Sequence, residues 1–261
     1  MRLLFLGDII GRPGRKAVAA RLGDLIEARA IDFVIANAEN ASGGLGLMPE
    51  AAQDLLNCGI DVLTTGNHVW AKRQLYPLLD QEPRLLRPHN YPSGNPGRGV
   101  GVFRTTSGQP VGVINLLGRT FMEPLDSPFT MVEGLIEGLR AEGCGTIILD
   151  FHAEATSEKQ AMGWLLDGKV TAVLGTHTHV QTNDARLLEA GTAYVTDVGL
   201  CGPRDSVLGL TREPILQRFL LQTPQRFEVA KGPVILCGAV IEADEGTGKA
   251  TGVTLVQELV E

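Results

Sequence analysis

A short apolar run that stops at a polar, ligand-like residue recurs five times along this chain. The runs are RLLFLGD (2–8), IDFVIANAEN (31–40), DVLTTGNH (61–68), TIILDFH (146–152) and VTAVLGTHTH (170–179). Each reads as a buried strand with its chemistry at the exit. Amphipathic helical stretches at about 13–29 and 49–57 separate the first three. This β-α-β-α-β order is that of a parallel or mixed sheet covered by helices. Four of the five histidines, His68, His152, His177 and His179, follow such runs directly. In open α/β sheets the carboxyl ends of the strands are where sites are built. Side chains two apart on an extended chain point to the same side. His177 and His179 are therefore expected to reach one point, provided the strand continues through them.

The middle of the chain changes character. Residues 81–99 are rich in Pro, Gly and Asn and read as loop. VGVFRTT and PVGVINLL then form an expected hairpin around Ser107-Gly108. This switch from β-α to β-β suggests a second sheet. Helices are expected near 129–143, 157–167 and 213–222, with strands near 233–243 and 251–258. Residues 181–212 read as irregular, apart from a short strand near AYVTD. No repeat, linker or composition shift divides the chain, so 1–261 is expected to be a single domain.

Several classes drop out on composition. The net charge of −7, with no basic run, argues against bulk nucleic-acid binding. Cys58, Cys144, Cys201 and Cys237 are far apart and show no CxxC, which favours four separate thiols over disulfides or a zinc knuckle. The apolar N-terminal stretch is cut by Asp8, and no run approaches the ~18 residues of a membrane span. The expectation is a cytoplasmic protein with no membrane association.

Carboxylate, amide and imidazole at the strand exits are the donor mixture of a pair of first-row transition ions. Such a pair, about 3.5–4 Å apart, suits phosphoester hydrolysis. An all-oxygen magnesium site has no need of three imidazoles. A structural zinc site is compact in sequence, not gathered from five strand ends. Each residue also has a plainer role. Asp8 can cap the following helix and Asn67 can serve a turn. Glu154 can support His152 or simply be solvated. Gly43, Gly44 and Gly46 suit a flexible loop better than a phosphate cradle. Arg12, Arg204 and Arg212 read first as surface residues, Trp70 and Trp164 as packing residues, and His89 has no assigned role.

The series GD (7–8), NAEN (37–40), GNH (66–68), FHAEATSEK (151–159) and GTHTH (175–179) resembles the calcineurin-like metallophosphoesterases. Within them it looks closest to the YmdB-like phosphodiesterases. The likeness extends over nearly the whole chain, through TAYVTDVGLCGP and LTREPILQRF. The resemblance implies an α/β fold, a two-sheet sandwich with helices on the outer faces. It implies that Asp8, Asn40 and His179 hold one metal ion and Asn67, His152 and His177 a second. Glu39 would bridge them, and His68 would be the proton donor to the leaving oxygen. The ions expected are two divalent or mixed-valent transition metals, iron or manganese first and zinc as the alternative. The expected partner is a small phosphodiester substrate, a cyclic nucleotide and the 2′,3′ form in particular; homo-oligomerisation stays open.

Three departures from the broader superfamily match the YmdB-like pattern. Ile10 stands where a histidine usually follows the first aspartate, Glu39 replaces the bridging aspartate, and Val69 replaces the acid after GNH. The last change leaves His68 in need of another group to orient it. Two rival readings remain: a metal- and nucleotide-sensing regulator that acts through a protein partner, and a phosphomonoesterase on the same metals.

Overall fold

The computed structural model describes residues 1–260. Numbered in chain order, the strands fall into two sheets. The first holds β1 (Arg2–Leu6), β2 (Asp8–Ile9), β3 (Phe33–Asn37), β4 (Val62–Thr64), β11 (Leu200–Pro203), β12 (Val234–Ala243) and β13 (Ala250–Val260). The second holds β5 (Val100–Arg104), β6 (Pro110–Leu117), β7 (Thr146–His152), β8 (Ala172–Thr176), β9 (Arg186–Leu187) and β10 (Ala193–Val195). The helices are α1 (Gly11–Arg29), α2 (Pro49–Asn57), α3 (Tyr76–Gln81), α4 (Pro128–Ala141), α5 (Thr156–Leu165) and α6 (Arg212–Leu221). Among the described residues no helix is long and apolar enough to cross a membrane.

Alternation along the strands builds the layers. Leu3 and Phe5 of β1 point into a core shared by the two sheets, with Val113 of β6 and Ile148 of β7 opposite. Leu4 and Leu6 point the other way, onto Val18 and Leu22 of α1 and Leu55 of α2. Ile147 and Leu149 of β7 pack outward on Val132 and Ile136 of α4 and Met162 of α5. The result is the expected two-sheet sandwich with helices on both outer faces. Complete burial of a side chain such as Phe5 stabilises the fold by about 1.5–3 kcal/mol.

β1, β3 and β4 run parallel, and so do β6, β7, β8 and β10. Their carboxyl ends therefore gather along one edge of the sandwich. β12 runs antiparallel to β1 and brings the C-terminal hairpin with β13 onto the first sheet. β5 and β6 form the expected hairpin, closed by Gly108 at φ 86°.

One expectation needs correction, and one helix was not anticipated. Residues 181–212 are not irregular around one strand, because β9, β10 and β11 all lie there. They were hidden because two to four residues are too few to show a period. The short helix α3 lies just before the Pro-rich loop and is marked by Pro77 in its first turn, a position proline tolerates. All four cysteines are free thiols, three of them buried.

Candidate metal centre

The strand exits do converge, in two groups that share Glu39. In the first group Glu39, His152 and His177 each offer a ligand atom, and these atoms lie within 4.8 Å of one another. Asn67 joins them, its Oδ1 3.1 Å from His152 Nε2. In the second group His179 Nε2 lies 3.7 Å from Asp8 Oδ1 and 3.3 Å from Asn40 Nδ2. Glu39 Oε1 stands between the groups, 3.3 Å from His152 Nε2 and 2.9 Å from Asn40 Nδ2.

Asp8 does not cap α1, whose N-cap residue is Ile10 and makes no side-chain cap. Its Oδ2 instead accepts the backbone N–H of His177. Its Oδ1 is buried and has no hydrogen-bond partner. A buried carboxylate oxygen left without a donor is rare and calls for an ion or another positive group. Burial pushes the Asp8 carboxyl upward, against the pull of His179 and His152. Burial acts in the same direction on Glu39, but His152 and His68 hold it well below the usual carboxylate range. Burial would lower His152, yet Glu39, Asp8 and Asp150 together push it up to about 9. The centre of this cluster thus attracts positive charge. His177 is pushed down to about 3 by burial and by neighbouring His152, which keeps its ring neutral and able to donate a lone pair. Oxygen and imidazole donors with these preferences fit transition ions.

The local backbone explains how the donors reach the site. Glycine is the only residue type that fits at position 66, because a Cβ on Gly66 would overlap His152 Nε2 and Glu39 Oε2. The two histidines of GTHTH do not lie on an extended chain, contrary to expectation. β8 ends at Thr176, and His177 and His179 sit at φ 95° and 64°. This left-handed turn sends one ring to each group instead of both to one point. Thr178, between them, donates its N–H and hydroxyl to Asp197, at 3.0 and 2.7 Å.

Asp197 is fully buried and pairs with Lys159 at 2.8 Å. Removing one partner of such a pair leaves an uncompensated buried charge, at a cost of about 3–5 kcal/mol. K159M is therefore expected to lose stability on that scale, read as a lower urea midpoint, and to lose activity with it as the 177–179 turn relaxes.

His68 does have a carboxylate beside it, although Val69 fills the usual acidic position. Its Nδ1 lies 2.8 Å from Asn40 Oδ1 and 3.2 Å from Glu39 Oε1, and its backbone N–H donates to Glu39 Oε2. Asn40 therefore turns its oxygen to His68 and its amide nitrogen to the centre. A half-turn of the amide exchanges the two without changing the side chain's outline. Glu154 lies 3.0 Å from His177 Nε2 and orients that ring, leaving Nδ1 facing His152.

The residues overlooked in the sequence support the donors. Asp150 accepts from Thr64 Oγ1 at 2.5 Å, Thr176 Oγ1 at 2.7 Å and Asn37 Nδ2 at 3.0 Å. Burial nonetheless raises its carboxyl to about 6. Asn37 Oδ1 in turn accepts the Glu39 N–H, which fixes the NAEN turn.

Among the arginines considered, Arg204 lines a cleft with His179 but is paired with Asp205. Arg12 lines a separate cavity of about 750 Å³ with Arg15 and Lys72. Arg212 opens α6. Trp70 packs edge-on against Tyr76 and Tyr91. Trp164 lies on α5 with Arg186 over its ring. His89 is held by its backbone N–H to Asn115 and lies outside both groups.

The sequence model of the family described as "YmdB-like protein" matches residues 4–256. The 2′,3′-cyclic-nucleotide 2′-phosphodiesterase of Bacillus subtilis (strain 168) is 48% identical over 250 residues, 96% of this chain and 94% of that protein. The crystal structure of a hypothetical protein from Thermus thermophilus is 40% identical and covers 99% of both chains with a TM-score of 0.92. That of a phosphatase from Mycoplasma pneumoniae is 35% identical, covering 99% of this chain and 93% of the other, also with a TM-score of 0.92.

Proposed function

This chain belongs to the YmdB-like family, and on that premise we propose that it is a metal-dependent phosphodiesterase acting on 2′,3′-cyclic nucleotides. Phosphoester hydrolysis is the coarser part of that statement and follows from the relatives. The finer part is carried by one observation. His68 stands partly exposed beside a buried cluster of oxygen and nitrogen donors, with Nδ1 engaged by the Asn40 side-chain amide. Nε2 is then the nitrogen left to face substrate.

Opening a cyclic diester expels an alkoxide whose pKa lies far above 7, so the leaving oxygen needs a proton. His68 Nε2 delivers it, and general-acid catalysis of this kind contributes about 10²–10⁴-fold. Asp8, Asn40 and His179 would hold one ion, Asn67, His152 and His177 the other, with Glu39 between. Two transition ions, iron or manganese with zinc as the alternative, would neutralise the phosphate and activate the attacking water. Glu154 and Asp197 keep the 177–179 turn in place while the phosphate enters.

The charge inventory supports a diester. No Lys or Arg stands next to His68, Asn67 or the His177/His179 pair in sequence, and the Arg204 guanidinium near His179 is neutralised by Asp205. A monoester, with nearly two charges, calls for more cations. With manganese or iron restored, the protein is expected to open 2′,3′-cyclic AMP with a higher kcat/KM than it hydrolyses AMP. A preference for AMP, with no turnover of the cyclic ester across several metals, moves the assignment to a monoesterase. Stoichiometric nucleotide binding with no turnover of either ester moves it to a sensing regulator.

A further inference from the structure

Phe121 is the most exposed large apolar side chain among the described residues, at 91%, the next being Phe219 and Leu220 at 74%. It does not lie on an outer helix, as those two do. It lines a cavity of about 350 Å³ with Asn67, Met122, Glu123 and His177. Two of these are proposed metal ligands, so the ring stands at the mouth of the centre. Its backbone is left-handed, φ 62°, a conformation that a bulky residue rarely adopts and that glycine would take without cost.

The loop that carries it is held firmly. Gly118 donates to the carbonyl of His152, itself a proposed ligand, at 3.0 Å. The N–H groups of Arg119 and Thr120 both donate to the buried Glu158 carboxylate, at 2.9–3.2 Å. Met122 donates back to Arg119 at 3.2 Å, closing a turn around Phe121. The fold thus fixes an aromatic face in water, on a strained backbone, beside the metal centre. Strain retained at such a place is a mark of function. The tryptophans are already engaged, Trp70 with two tyrosines and Trp164 with Arg186.

We infer that Phe121 is the platform on which the substrate's nucleobase stacks while its cyclic phosphate lies at the metal centre. The inference rests on the cyclic-nucleotide reading above. Stacking on an aromatic face is tolerant of base identity, because every base has a π-face. The cavity of about 350 Å³ lies between the ring and the proposed ligands Asn67 and His177, where a base joined to a phosphate at the centre would stand. Phe121 is a specificity residue in this role, touching the base and not the reacting atoms.

The test compares a substrate with a base and one without. Wild type, F121A, F121G and F121W, each with manganese restored, are assayed on 2′,3′-cyclic AMP and on glycerol 1,2-cyclic phosphate. F121A and F121G are expected to raise KM for the nucleotide about tenfold with kcat nearly unchanged, the usual scale of one lost stacking contact. Both should leave the glycerol ester unaffected, and F121W should keep the nucleotide KM. F121G relieves the backbone, so its melting temperature should equal or exceed wild type while its KM rises. A merely structural ring would not give that split. Equal changes on both esters, or no change on either, overturn the inference and leave the phosphodiesterase reading intact. So does a wild type that opens the glycerol ester but shows no preference for the nucleotide. A wild type that opens neither ester removes both.

Discussion

Replacing Glu39 by alanine is expected to abolish activity on any phosphoester and to lower metal content at the same time. Its Oε1 lies between the two donor groups, and its Oε2 accepts the His68 backbone N–H. One truncation therefore removes the shared carboxylate and frees the segment that carries the acid. Loss of a single preorganised charge-stabilising group costs about 10²–10³-fold. Here the loss should lie at or beyond the upper end, because both groups depend on the same side chain. His177→Ala should act in the same direction through one group only. Elemental analysis of purified wild type, E39A and H177A decides the matter. Two equivalents in the wild type, reduced in both variants together with rate, is the expected result. One full equivalent in all three proteins shows that metal binds elsewhere.

His68→Ala should behave differently. If His68 serves only to protonate the leaving oxygen, H68A keeps its metal and loses about 10²–10⁴-fold on 2′,3′-cyclic AMP. On a nitrophenyl diester, whose phenolate departs without help, the loss should be much smaller. Equal losses on the two substrates, or a fall in metal content, remove His68 from the acid role. Asn40→Ala offers a comparison, since it removes both the side-chain amide beside His68 Nδ1 and one member of a donor group.

The placement of the donors was legible because each apolar run ends where its strand ends. RLLFLG, FVIAN, VLT, TIILDFH and AVLGT are β1, β3, β4, β7 and β8 with small shifts at the boundaries. Parallel order then carries all five exits to one edge, which is why residues far apart in sequence meet. What stayed hidden depends on contacts that have no local signature. The turn through His177 and His179 is set by Asp197, about twenty residues downstream, and by Lys159 on a helix. Without that partner the pair reads as a continuing strand. Asp150 lies inside TIILDFH, where a single carboxylate in an apolar run gives no sign that three donors from other strands await it. Phe121 follows a glycine-containing loop with no periodicity, and its exposure is a property of the folded cleft.

Asp150 also marks where the two sheets meet. It takes donors from β3 and β4 in one sheet and from its neighbour β8 in the other. Neither sheet alone contains the centre: Asp8, Glu39, Asn40, Asn67 and His68 come from the first, His152, His177 and His179 from the second. Coordination of an ion by these residues would therefore be linked to the docking of the sheets. Any ion that binds only the docked form stabilises it by an amount that grows with ion concentration. Separation of the sheets, even briefly, dismantles both donor groups at once.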